Sequence, residues 1–292
     1  MSEGSIPDPT APLDPSGNLR RRRIVSKVAE YGATAAAVLA VAVLAIVIYT
    51  VVDRGATAID WNFITKGYPD GVGPALLGTM EIVAIATAIA MPLAVLIAIF
   101  LTEYAGSRAA GPLRMTLDLM NGLPSIIIGL FVFGLLVNHK HQSGFAGAVA
   151  LAIIELPLIA RGTQEVLLLV PNSLREASDA LGVARWRSVL TVVLPSAVGG
   201  IITATVLAVA RAAGETAPLI LLTSVFDPKL FSLDPSEAIP NVPVTIYRLS
   251  EEGNPEGFAE AWGISLVLVS FILFASLAAR ALLNRSKRKL AG

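Results

Sequence analysis

The chain has 292 residues, 54% hydrophobic and 15% charged, with 22 basic and 22 acidic side chains that leave it formally neutral. So few charges are unusual for a soluble domain of this size, and several nearly uncharged windows of about 20 residues are long enough to cross a hydrocarbon core of about 30 Å. The expected fold class is all-α, a polytopic helical membrane protein, and the absence of cysteine excludes disulfides, thiol catalysis and cysteine metal sites.

In chain order, Met1 to Asn18 is rich in Pro, Ser, Gly and Asp, buries too little surface to fold and is expected to be disordered. Arg20, Arg21, Arg22, Arg23 and Lys27 follow, so residues 1–30 read as a tail with a basic cluster that stays in the cytoplasm. The next apolar run is too long for a signal-peptide core and reads as an uncleaved first span. Six spans are expected within a transmembrane domain of residues 31–283: Tyr31–Val52, Ala75–Leu101, Leu117–Val137, Phe145–Ala160, Gly200–Leu222 and Trp262–Leu283. The fourth is short, and its helix is expected to continue through Leu167, Leu168 and Leu169. Six spans return the chain to the cytoplasm, where Arg285, Lys287, Arg288 and Lys289 form a basic tail over residues 284–292. This topology puts 16 Lys and Arg side chains inside and 5 outside, the bias expected of a multi-pass protein with both termini cytoplasmic.

The third span carries Gly122, Pro124, Ser125, Gly129 and Gly134. Ser125 and Gly129 form a small-xxx-small pair that lets helices approach closely. His139 and His141 flank Lys140 in a short loop and read as solvated rather than as metal ligands. The longest external segment, residues 223–261, holds Asp227, Asp234, Glu237, Glu251, Glu252, Glu256 and Glu260. Its proline-punctuated core, Pro240 to Tyr247, reads as partly extended. Such a loop could meet an external solute-binding protein or be merely solvated.

Residues 171–195 are the longest polar stretch between two strongly apolar ones. Ser173 followed by Glu176 fits a capping box that starts a short helix. Leu174, Ala177 and Leu181 then share a face, and Gly182 can take the left-handed conformation that ends the helix. A second short helix carries Arg185, Trp186, Arg187 and Leu190, and Pro195 favours a break or kink after it. The expected object is two short helices bent at a glycine, a rigid cytoplasmic knob with an apolar face left for a partner. Only Arg175, Arg185 and Arg187 could meet phosphates of DNA, and apolar spans lie on both sides, so a DNA-binding helix-turn-helix is not favoured.

Ionisable groups at membrane depth are expensive and mark function by default. Glu81, Glu155, Arg211 and Glu215 qualify, and Arg161 and Glu165 lie near the inner end of the fourth helix. A fifth span beginning near Gly200 puts Arg211 about 16 Å deep at about 1.5 Å per residue, near the midplane. Glu215 is expected one turn further on the same face. Arg before Glu is the weaker helical order, so helix stabilisation alone explains the pair poorly. The same spacing recurs at Arg161 and Glu165. Two readings stand: Arg211 eases passage of an anion, or the pair is purely structural.

The run Glu176-Ala177-Ser178, then Gly182, Val192, Leu194 and Pro195 resembles the EAA loop of ABC importer permeases. Ala208 to Pro218, with Arg211, Gly214, Glu215, Thr216 and Ala217 at its heart, is similar to the signature of PstA-type permease subunits of phosphate ABC importers. Gly122 to Leu130, Pro157 to Pro171 and Pro243 to Tyr247 match the same family, which departs from this chain at Gln164, Glu81 and Glu155. The resemblance implies a type I ABC importer permease fold and ATP-driven phosphate translocation by alternating access in a prokaryotic cytoplasmic membrane. Its implied pathway residues are Arg211, Glu215, Arg161 and Glu165. Its implied coupling residues are Glu176, Ala177, Gly182, Arg185, Trp186, Leu194 and Pro195. It further implies a second homologous permease subunit, a cytoplasmic ATPase dimer holding ATP and Mg, an external phosphate-binding protein and surrounding membrane lipid, with no cofactor in this chain and no nucleic acid. The chain has no Gly-rich phosphate loop followed by Lys and Ser/Thr, so ATP hydrolysis is not expected in it. A permease for another oxyanion or small solute is the alternative, and a proton-coupled carrier using Glu81, Glu155 and Glu215 is the rival of a different class.

Overall fold

The computed structural model describes residues 18–67, 71–138, 140–223 and 232–291, with backbone alone at Leu19, residues 278–280 and residues 282–291. The expected disordered tail up to residue 17, His139, Asp227 and Lys229 lie outside the described residues. So do the side chains of the basic C-terminal tail.

Helices α1 (Leu19–Gly55), α2 (Trp61–Thr65), α3 (Gly73–Glu103), α4 (Ala110–Gly122), α5 (Ser125–Val132) and α6 (Gly144–Leu168) are followed by α7 (Asn172–Ala180) and α8 (Arg185–Ser188). Then come α9 (Leu194–Ala212), α10 (Ala217–Leu222), α11 (Val242–Glu251) and α12 (Pro255–Ala291). No strand occurs among the described residues. The chain divides into two units, residues 1–50, which hold most of α1, and residues 51–292, which hold the rest. Among the described residues, five helices are long and apolar enough to cross a membrane, or six if the bent pair of α4 with residues 125–137 counts as one span.

In the second unit α6 is the central helix, packed against α3, α9, α4, α5 and α10. Lipid tails are as apolar as leucine, so association here rests on close van der Waals fit between small side chains rather than on removal from water. Ala86, Ala90, Ala94 and Ala98 recur at every fourth position of α3 and are fully buried, as are Ala146, Ala148, Ala150 and Ala160 of α6. Pro92 and Pro157 sit inside α3 and α6 without ending them.

Several expectations need correction. The third span is not one helix over Leu117–Val137: α4 and α5 meet at 102°. Pro124 cannot donate to the preceding turn and holds Leu123 extended, at ψ 132°. A π turn, Phe133–Val137, closes this arm. The fifth span is not continuous over Gly200–Leu222 either. It begins at Arg185 and ends at Ala212, with α10 starting only at Ala217. Pro195 does not break it, because the π turn Val189–Val193 just before it lets the helix run on into α9.

The Ser173–Glu176 capping box is absent, since Pro171 takes the cap position and α7 starts at Asn172. The segment from Pro240 is extended at Asn241 but helical from Val242 on. Asn241 caps α11 by accepting from the Val244 N–H at 3.1 Å, with Pro243 in the first turn. Asn241 is buried and donates to Thr223 Oγ1 at 2.7 Å, while the Val242 N–H donates to Thr79 Oγ1 at 2.8 Å, tying α11 to α3 and to the end of α10.

Candidate functional site

Two places gather the residues singled out from the sequence. The first is the break between α9 and α10. A Cβ on Gly162 would collide with Ala204, and one on Gly200 with Val166, which fixes an antiparallel register of α6 on α9. Seven residues beyond Ala204, Arg211 stands at the level of Glu155, midway along α6. Helix α10 covers the other half. Pro218 lies against Gly129 of α5, and the Ser143 N–H, at the start of α6, donates to the Leu222 carbonyl at 2.9 Å. The helix is therefore interrupted at the level of the middle of α6, with Arg211 in the last turn of α9.

Arg211 Nε is 3.5 Å from Glu215 Oε1, with the guanidinium side 60% exposed and the carboxylate side 16%. Glu215 does not follow Arg211 on one helix face as expected. The helix ends at Ala212, and the pair closes across the turn that follows. Arg211 and Glu165 line one groove of about 440 Å³ between α6 and α9, together with Leu158, Gly162, Ala204 and Leu207.

Arg161 does not join them, and the spacing it shares with Glu165 makes no ion pair among the described residues. It pairs instead with Asp118 of α4, and donates to the Arg114 carbonyl at 3.3 Å and to Gln164 Oε1 at 3.1 Å. Helix α4 lies across this face of α6 and supplies a carboxylate from another element, while Glu165 faces the groove.

Glu155 is fully buried at the same depth as Arg211. Its Oε2 accepts from Thr87 Oγ1 at 3.0 Å, and its Oε1 has no hydrogen-bond partner among the described residues. Glu81 Oε2 is in the same position. In the acidic segment, Asp234 accepts from the Ser236 hydroxyl at 2.7 Å and from the Ser236 N–H at 2.9 Å, and these two bonds hold its carboxyl below its ordinary range.

The second place is the elbow joining α7 to α8. Gly182 has φ +71°. The Gly182 N–H donates to the Asp179 carbonyl at 3.0 Å and the Val183 N–H to the Ser178 carbonyl at 3.1 Å, the bond pair of a glycine-terminated helix end. Glu176, Ala177, Arg185 and Pro195 are exposed. Leu174, Leu181, Trp186 and Leu190 are exposed as well, at 39%, 81%, 60% and 53%, leaving an open apolar face. Leu194 is half-buried, packed on the cluster of Ala98, Leu167, Val193 and Ala197.

Sequence reasoning missed the group that anchors this elbow. Glu103, the last residue of α3, is 5% exposed and takes Arg175 at 3.0 Å and Arg185 at 3.9 Å. The available signal was an acid closing an apolar span, with two arginines in the next polar stretch.

Residues 90–291 match the family described as binding-protein-dependent transport system inner membrane component. The phosphate transport system permease protein PstA of Haemophilus influenzae is 36% identical over 248 residues, 82% of this chain and 87% of that protein. The phosphate transport system permease protein PstA 1 of Mycobacterium tuberculosis is 35% identical over 293 residues, covering 96% and 94%. Among solved structures, the inward-facing MetNI methionine ABC transporter matches with a TM-score of 0.61 at 19% identity, over 77% of this chain and 96% of that one. A bacterial alginate ABC transporter in complex with a periplasmic protein also reaches 0.61, at 14% identity over 92% and 97%.

Proposed function

This chain belongs to the family of binding-protein-dependent transport system inner membrane components and has the type I ABC importer permease fold; from that premise we propose that it is the PstA-type subunit through which inorganic phosphate crosses the membrane. Relatives named for phosphate transport cover most of its length. In this reading a second, homologous permease subunit completes the pathway, and an external phosphate-binding protein delivers the ion. A cytoplasmic ATPase dimer, which holds the ATP and Mg, drives the cycle. The α7–α8 elbow and both termini are then cytoplasmic.

The observation that carries the site is the placement of Arg211 at the mid-depth interruption of a span, beside an open groove. A phosphate that sheds water on entering a low-dielectric region faces a large electrostatic cost. One guanidinium with a rigid fork of donors offsets part of it. Glu215 neutralises part of that charge, so the ion is helped across without being trapped. Glu165 lies on the same groove toward the cytoplasmic end and sets a negative lower wall. Arg161, held by Asp118, props α4 against α6 at the mouth of this path rather than lining it.

The elbow docks in the ATPase through Glu176, Ala177, Arg185, Trp186 and the exposed leucines. ATP-driven closure of the ATPase dimer moves Gly182 and its flanking helices, and Leu194 and Pro195 pass that motion into α9, which carries Arg211. The test is phosphate uptake by a reconstituted complex carrying Arg211→Gln, with assembly checked by co-purification. Loss of most of the uptake in a fully assembled complex is expected, and an assembled complex with unchanged uptake rejects the role of Arg211.

A further inference from the structure

We propose that Glu103 is the positioning residue that fastens both arms of the α7–α8 elbow to α3, so that the elbow moves with the membrane helices as one body. The proposal rests on the coupling role of the elbow argued above. Arg175, on α7, donates from Nε at 3.1 Å and from Nη2 at 3.0 Å to one oxygen of Glu103. Arg185, the first residue of α8, brings Nη2 within 3.9 Å of the other oxygen. Its guanidinium also lies 5.1 Å from the ring centre of Tyr104, the residue next to Glu103. One buried carboxylate thus receives a cation from each side of the Gly182 bend.

The remaining donors of Arg175 extend the fastening to α6. They reach the Leu167 carbonyl, in the last turn of α6, at 3.0 Å and the Val170 carbonyl, just beyond that helix, at 2.7 Å. Arg175 therefore ties three elements, α3, α6 and α7, at one point. Only a planar fork with five donors can serve a carboxylate and two carbonyls together, which lysine cannot do. With Glu103 removed, two guanidiniums face each other without a counter-charge, and α7 and α8 lose their shared link to α3. Push on the elbow would then bend the Gly182 joint instead of shifting α3.

The experiment measures ATP hydrolysis and phosphate uptake side by side in proteoliposomes holding the whole complex. For Glu103→Gln, assembly and hydrolysis persist while phosphate taken up per ATP falls about tenfold; Glu103→Asp recovers part of it. Arg175→Gln behaves alike, and the double variant is no worse than either single one, as expected of groups acting through one contact. If Glu103→Gln does not assemble, Arg175→Lys, which keeps the charge and loses the fork, serves instead and lowers uptake per ATP about twofold. An unaltered yield per ATP in the assembled Glu103→Gln complex, or in the Arg175→Lys complex where that one is used, overturns the clamp. Independent multiplication of the Glu103 and Arg175 effects overturns it as well. Uptake by the parent complex that needs no ATP overturns the coupling reading itself.

Discussion

Substitution at Gly182 separates backbone conformation from side-chain bulk. At φ +71° a Cβ placed on this residue meets nothing within 4 Å, so a substituent has room and the cost is in the backbone alone. For an L-residue in the left-handed region that cost is about 1–2 kcal/mol, with asparagine the usual exception. A β-branched residue is the worst case, being a true outlier there. Relaxing to another φ gives up the Val183-to-Ser178 and Gly182-to-Asp179 bonds and re-aims α8, which carries Arg185 and Trp186. One or two kcal/mol is a factor of about 5 to 30 in population. If the docked elbow must hold this bend, phosphate taken up per ATP should drop about fivefold in Gly182→Ala and about thirtyfold in Gly182→Val. Gly182→Asn should stay close to the parent. The assay is paired hydrolysis and uptake in proteoliposomes. A steric effect would rank the variants by volume, with Ala mildest and Asn near Val. That order would refute the conformational argument.

Two further outcomes follow from the geometry of the break. Glu215→Gln leaves the Arg211 charge whole at mid-depth, so phosphate should be held more tightly and released more slowly, seen as a lower KM with a lower kcat for uptake; a raised KM would contradict partial neutralisation as its role. Gly129→Val puts a Cβ 2.7 Å from Pro218 Cα, and overpacking of this kind costs about 1–3 kcal/mol. The Tm of the purified complex should fall accordingly, whereas an unchanged Tm would mean that α5 and α10 part freely.

The spans were legible where apolar length alone decides. The helices of α3, α6 and α12 enclose the expected Ala75–Leu101, Phe145–Ala160 and Trp262–Leu283, because backbone groups in hydrocarbon must be satisfied within the segment. The bend at Gly182 was legible for the same kind of reason, since a glycine after a short amphipathic run has a local preference that needs no distant partner. Ser125 and Gly129 announced a close contact, and Gly129 makes it, against Pro218.

What no local pattern contained was the choice of partner across elements. Arg161 has Glu165 one turn away and takes Asp118 of α4 instead; Arg175 and Arg185 meet at Glu103, roughly 70 or more residues back along the chain. The interruption of the fifth span after Ala212 was read past as well. Gly214 and Pro218, in the first turn of α10, were the local signals of a break, and the packing of α10 on α5 and on the start of α6 holds it there. Spacing along one helix sets which side chains can meet at no cost in chain folding, but an ion pair forms where neighbouring helices bring opposite charge and a dry wall together. That juxtaposition exists only once α3, α4, α6 and α9 are packed.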